Sequence, residues 1–292
     1  MPIRKVLILG CKGTLGGQLM KLYPEATGWD REEIDVLDSP ALHARVAALP
    51  SVPDAVINCV AFNDVDRAED RPQQAMALNA DFPGALAQFT RQLGVPLVHY
   101  STNYVFDGVH GEYLETDLPA PLSAYGRSKW GGEQRIAECG GQSYIVRTAV
   151  IFGPKGASEL SKKSFVDLMC DLSATRDTIQ AVADEVNSVT YAPDLAAGTQ
   201  GLLDRLPPPG IYHITNSGGA SWFELAREIF RITGKTVNVL PVPSTHFPRK
   251  ALRPPKAILR NSKLSPFRPW QVALAEFLEE GRGKGEGVPA GL

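Results

Sequence analysis

The stretch Val6-Leu7-Ile8-Leu9-Gly10-Cys11-Lys12-Gly13-Thr14-Leu15-Gly16 decides the fold. Four apolar residues run straight into a GxxGxxG triplet, and helix spacing follows over residues 13–22. One glycine permits a tight turn, one lets the backbone approach a pyrophosphate, and one lets the helix pack close to the strand. The helix N-terminus at Thr14-Leu15 then offers free N–H groups and the positive end of its dipole to phosphates. Gly10, Gly13, Thr14, Leu15 and Gly16 are therefore candidate cofactor-binding residues. A glycine triplet alone is weak evidence, since glycines punctuate turns everywhere. This one follows the first strand of a repeating pattern.

Working outward, short β-rich runs at residues 26–29, Ala55–Asn58, 97–100 and 144–146 alternate with helical segments. Ser39-Pro40 reads as an N-cap followed by an N1 proline. The longest helix spans residues 72–93 and should kink at Pro83. Such alternation implies right-handed βαβ units and a parallel sheet covered on both faces. The fold class is α/β, a doubly wound, Rossmann-like parallel sheet. The pattern changes after Phe152-Gly153-Pro154: a polar loop over 155–163 precedes helices at 164–173 and 193–206. A strand at 211–214 follows, and Ser221-Trp222-Phe223-Glu224 reads as a capping box for the next helix. The expected division is a dinucleotide-binding domain of residues 1–150 and 178–215 and a smaller substrate-binding lobe of 151–177 and 216–280. The last helix is expected at 269–280, and 281–292 read as a disordered tail.

The 292 residues carry 30 Lys plus Arg against 32 Asp plus Glu, a net charge of −2. That excludes a protein whose whole surface grips nucleic acid. No apolar run approaches the roughly 20 residues that span a bilayer. Cys11, Cys59, Cys139 and Cys170 are scattered, with no CxxC, and read as reduced thiols in a cytoplasmic protein. The five histidines are equally dispersed, so no metal site is expected.

Asp30 lies twenty residues after Gly10 at the end of the second strand, where an acid would bind ribose hydroxyls. Its neighbour Arg31 suits a 2′-phosphate, so the pair leaves NADH and NADPH both open. Asp35 and Val36 could flank the adenine, and Cys59-Val60-Ala61 is small enough to lie against the cofactor. Tyr125-Gly126-Arg127-Ser128-Lys129 puts a phenol and an ammonium on one face of a helix. A cation beside a phenol lowers its pKa from near 10 and makes it a usable proton donor for a carbonyl under reduction. The hydroxyl-bearing strand end Ser101-Thr102-Asn103 precedes the pair. His99, just before it, reads as a packed residue, and Trp222 with Phe223 as core.

Together GxxGxxG, NCVA and Tyr-x-x-x-Lys resemble the extended short-chain dehydrogenase/reductases. Within them, VINCVAFNDVDRAE (56–69), VHYSTNYVFDG (98–108) and PLSAYGRSKWGGE (121–133) are similar to the dTDP-4-dehydrorhamnose reductase family, traceably from residue 4 to about 278. The resemblance implies NADPH- or NADH-dependent reduction of the C4 ketone of dTDP-4-dehydro-L-rhamnose. By it, Tyr125 is the general acid, Lys129 modulates its pKa and grips the nicotinamide ribose, and Thr102 bonds the reacting carbonyl. Val65 and Tyr104 lie near the sugar, and Arg253-Pro254 resembles an element of the substrate lobe. Three positions depart from the family: Asn103 replaces an Asp, Val150 replaces a sugar-packing Trp, and Asp184–Thr190 keeps only part of a later motif. Reaction type is therefore better indicated than the exact keto sugar.

From Ile229 to Ala275 there is no Asp or Glu, while Arg231, Lys235, Arg249, Lys250, Arg253, Lys256, Arg260, Lys263 and Arg268 supply nine positive charges. Such a lobe suits a nucleotide-diphosphate sugar; its few aromatics speak against nucleic acid. Two alternatives stand beside the reductase. One is a reductase or epimerase of another nucleotide-linked 4-keto sugar. The other is a non-catalytic regulatory subunit, since the β subunit of methionine adenosyltransferase resembles the same branch. A homodimer is compatible with the family.

Overall fold

The computed structural model describes residues 3–158 and 161–284, with side chains described to residue 280. The first half runs β1 (Val6–Leu9), α1 (Thr14–Leu22), β2 (Thr27–Trp29), α2 (Ser39–Ala47), β3 (Ala55–Asn58), α3 (Val65–Asp70), α4 (Pro72–Met76), α5 (Phe82–Leu93), β4 (Leu97–Thr102), β5 (Gly111–Tyr113), α6 (Ala124–Cys139) and β6 (Ser143–Thr148). The second half adds β7 (Ile151–Phe152), α7 (Phe165–Leu172), β8 (Thr178–Val182), β9 (Val186–Asn187), β10 (Thr190–Tyr191), α8 (Ala192–Arg205), β11 (Gly210–His213), β12 (Ala220–Ser221), α9 (Trp222–Thr233), β13 (Asn238–Val242), β14 (Lys256–Leu259) and α10 (Trp270–Lys284).

Six strands form the central sheet in the order β11-β6-β4-β3-β1-β2, every pair parallel. The inner strands β1, β3, β4 and β6 are buried on both faces, so their apolar residues run together rather than alternate. One face packs Ile8, Ile57, Val98 and Val146 with Leu19 and Leu195; the other packs Leu7, Val56, Leu97 and Ile145 with Leu86 and Ile136. The sheet is the doubly wound α/β arrangement expected from sequence.

Several local expectations are corrected. Asp38, not Ser39, caps α2: its carboxylate accepts from Ala41 N, and Pro40 fills the first turn. Residues 72–93 are not one helix kinked at Pro83. A π-helical turn over Ala77–Asp81 separates α4 from α5, because Pro83 has no N–H to bond Asn79 in α register. The turn puts Asn79 where its side chain accepts from Phe62 N (2.8 Å) and donates to Phe62 O (2.9 Å) and Ser128 Oγ (2.9 Å). β8, assigned from sequence to the nucleotide domain, pairs in parallel with β13 instead. Ile179 and Ala181 pack with Ala226, Ile229 and Phe230 of α9 and with Leu274 of α10. The Ser221 capping box forms with both hydrogen bonds. α10 runs to Lys284, past the expected end at 280, and residues 285–292 of the expected tail lie outside the described residues.

Candidate active site

The glycine-rich turn fits a dinucleotide pyrophosphate. Gly10 adopts φ +78, and a Cβ on Gly16 would sit 2.1 Å from Gly10 O and 2.8 Å from Cys11 Cα. Only glycine lets strand and helix approach so closely. Gly13 caps α1 with no side-chain bond, leaving the helix N–H groups directed into the cavity. That cavity, about 1020 Å³, opens at the carboxyl ends of the central strands.

Its walls bring together Gly10, Gly13, Thr14, Leu15, Gly16, Asp30, Arg31, Asp35, Val36, Cys59, Val60, Ala61, Val65, Thr102, Asn103, Tyr104, Tyr125, Lys129 and Val150. Asp30 carries a structural task as well, accepting from Lys12 N (3.0 Å) and Arg31 N (2.9 Å). Arg253 does not line the cavity. It pairs with Asp66 through two hydrogen bonds of 3.1 and 2.7 Å, and so fastens the C-terminal segment to α3.

Tyr125 and Lys129 occupy successive turns of α6, which starts at Ser123, whose hydroxyl accepts from Gly126 N. Burial pushes the pKa of the Tyr125 phenol up, and the neighbouring Thr102 side chain opposes the rise. Contact with a cation, expected to lower the phenol, is not what the geometry gives. Lys129 Nζ instead donates to Tyr100 O at 2.5 Å and lies 3.4 Å from His99 Nε2. Burial pulls Lys129 down to about 8, opposed by Glu133 one turn further on. Glu133 is itself held by Arg147 in a buried two-bond pair of 2.9 and 2.6 Å.

Asn103 lines the cavity but spends its amide elsewhere, donating to Asn187 Oδ1 (2.7 Å) and Ala257 O (2.9 Å). Val150 forms part of the floor in a left-handed conformation, φ +37, which costs a side-chain-bearing residue about 1–2 kcal/mol. Thr190 holds it there, donating from its N to Val150 O (3.0 Å) and from its hydroxyl to Ala149 O (2.6 Å).

The basic lobe is corrected most. Arg231, Arg249, Lys250, Arg253, Arg260 and Arg268 pair with Glu228, Glu185, Asp70, Asp66, Glu112 and Asp194. Apart from Arg231, whose partner lies one turn away in α9, they fasten the C-terminal segments to the rest of the chain rather than face a ligand. The cations that do line the cavity, beside Arg31 and Lys129, are Lys155, Lys162 and Lys163 of the loop after β7. That loop was legible as polar but carried no motif. Trp222, expected in the core, also lines the cavity, its indole N–H directed at Glu185 Oε2 (3.4 Å). Its only sequence signal was its place at the first turn of a capped helix.

Residues 4–282 match the family model described as RmlD substrate binding domain. A dTDP-4-dehydrorhamnose reductase of Streptomyces griseus is 37% identical over 291 residues, covering 94% of this chain and 93% of that protein. A probable dTDP-4,6-dihydroxy-2-methyloxan-3-one 4-ketoreductase of Streptomyces antibioticus is 35% identical, covering 92% and 93%. The crystal structure of dTDP-4-dehydrorhamnose reductase from Bacillus anthracis in complex with NADP superposes with a TM-score of 0.89 at 34% identity, covering 96% of this chain and 100% of that one.

Proposed function

The chain belongs to the dTDP-4-dehydrorhamnose reductase (RmlD) family, and on that footing we propose that it reduces the C4 ketone of dTDP-4-dehydro-L-rhamnose to dTDP-L-rhamnose in the cytoplasm. The observation that carries this reading is the convergence of Thr102, Tyr125 and Lys129 on one cavity with the glycine-rich turn. A bound reduced nicotinamide, NADPH or NADH, supplies the hydride. Gly10, Gly13, Thr14, Leu15 and Gly16 would hold its pyrophosphate, with Asp30 and Arg31 at the adenosine ribose and Asp35 and Val36 at the adenine. Cys59, Val60 and Ala61 would back the cofactor at the end of β3.

Tyr125 keeps its proton at neutral pH, because burial holds its pKa above the ordinary phenol value. It gives that proton to the ketone oxygen as negative charge develops there, while the Thr102 hydroxyl bonds the same oxygen. Lys129, one turn along α6, would grip the nicotinamide ribose and help to return the proton that Tyr125 gives up. Val65, Asn103, Tyr104 and Val150 form the wall against which the sugar lies.

The test follows NADPH, and separately NADH, on adding dTDP-4-dehydro-L-rhamnose. Tyr125→Phe should cut kcat by about 10²–10⁴, the worth of a positioned general acid. Val150 and the similarity to a ketoreductase of a different dTDP sugar favour one second reading, a sister keto sugar as substrate. Turnover of that sugar but not the rhamnose precursor would establish it. Cofactor binding without turnover of either would overturn the enzymatic assignment and point to a regulatory subunit.

A further inference from the structure

Asn58 on β3 and His99 on β4 are register partners, both buried, and Lys129 of α6 sits over them. Asn58 Oδ1 accepts from Val60 N at 3.0 Å, which commits the oxygen and turns the amide nitrogen toward His99 Nδ1, also at 3.0 Å. An amide nitrogen only donates, so Nδ1 must accept and carries no proton. With Nδ1 unprotonated the ring is neutral, the form that burial also favours. Its single proton therefore sits on Nε2, the atom 3.4 Å from Lys129 Nζ. Facing an ammonium, that N–H would set donor against donor. Facing a neutral amine, it donates a hydrogen bond.

We propose that Asn58 and His99 act as a tautomer lock, a pair of positioning residues that disfavour the charged form of Lys129. The inference rests on the reductase reading for its consequence, though its geometry does not. Other groups around Lys129 do not reproduce the effect. Tyr125 and Glu133 share its helix, and Glu133 is bound to Arg147 of β6; from β4, Lys129 Nζ meets His99 Nε2 and the Tyr100 carbonyl, which accepts from either form of the lysine. A lysine so placed releases its proton readily, which suits a residue that must help restore the proton Tyr125 gives away.

The experiment reads the lock without turnover first. Nitrogen-15 NMR of the histidines in cofactor-free protein, with His99→Gln to assign the signal, should show His99 unprotonated at Nδ1. In Asn58→Asp the carboxylate can only accept, which favours the tautomer that donates from Nδ1, so that Nε2 accepts from the Lys129 ammonium. Lysine carbon-13 titration should then show Lys129 moving up by about one pH unit or more. The alkaline limb of kcat/KM should move with it. In His99→Gln the amide oxygen can turn to the lysine, so the shift has the same direction and stands in if Asn58→Asp does not fold. A His99 protonated at Nδ1, or a Lys129 titration unmoved in the folded variants, would overturn the lock. A wild type with no turnover would sink the reductase reading alone, because both NMR readouts remain.

Discussion

At Asn103 one amide nitrogen holds two carbonyl oxygens, Asn187 Oδ1 and Ala257 O, and so ties β9 and β14 to the end of β4. Both partners are acceptors, which explains why an amide stands where the family pattern has a carboxylate. Asn103→Asp would set a third acceptor among them in a buried place. The expected loss is about 2 kcal/mol, the cost of leaving such groups unpaired, read as a lower urea midpoint. An unchanged midpoint would show that the amide is not the tie. The departure itself was visible in the sequence. Its reason was not, because the partners lie 84 and 154 residues away.

Between elements, the same distance effect turns the basic C-terminal segment from a ligand surface into a set of fasteners. Asp66 at the start of α3 accepts from Ala251 N at 2.9 Å and binds Arg253, and Asp70 at the end of α3 binds Lys250. The guanidinium holds the Asp66 carboxyl at about 2, below the ordinary Asp value near 4. A depressed carboxyl stabilises the folded state fully above its unfolded pKa, and loses that share as pH falls through its folded one. The difference in stability between wild type and Asp66→Asn should therefore be constant above about pH 5 and be lost by about pH 1, below both pKa values. Its size is about 1 kcal/mol, since Asp66 is partly open to solvent. A difference that persisted undiminished at about pH 1 would assign the contribution to packing. The strands of the central sheet and the helix that follows the glycine-rich turn were legible because local signals mark them: apolar runs and glycines a few positions apart; α3 and β5 were not. The two-residue strands β7, β9, β10 and β12 were not, since such pieces exist only through pairing with distant chain. The π turn before Pro83 escaped for a related reason: a proline announces a break but not the register that absorbs it.

Across the whole molecule, the two halves of the chain meet on the glycine-rich turn that the first strand delivers. The loop after β7 lies on that turn: Ser158 N donates to Lys12 O at 2.9 Å, and Ser161 Oγ lies 3.2 Å from Thr14 Oγ1. Gly156 is the point of closest approach. A Cβ there would fall 2.4 Å from Gly13 C, 2.4 Å from Lys12 O and 2.7 Å from Thr14 N, all backbone atoms that cannot rotate away. Gly156→Ala must push the loop off the turn, or the turn out of its pyrophosphate-binding shape, at a strain of about 1–3 kcal/mol. Where that strain is taken up decides what the loop does. If the second half helps to shape the site, cofactor affinity should fall by about tenfold, as 1.4 kcal/mol of distortion dictates, while the sheet core stays folded. Titrating cofactor against intrinsic fluorescence, with far-ultraviolet circular dichroism as the check on folding, reads both quantities. Tighter binding in the variant would reverse the conclusion, making the loop a cover that the cofactor has to displace.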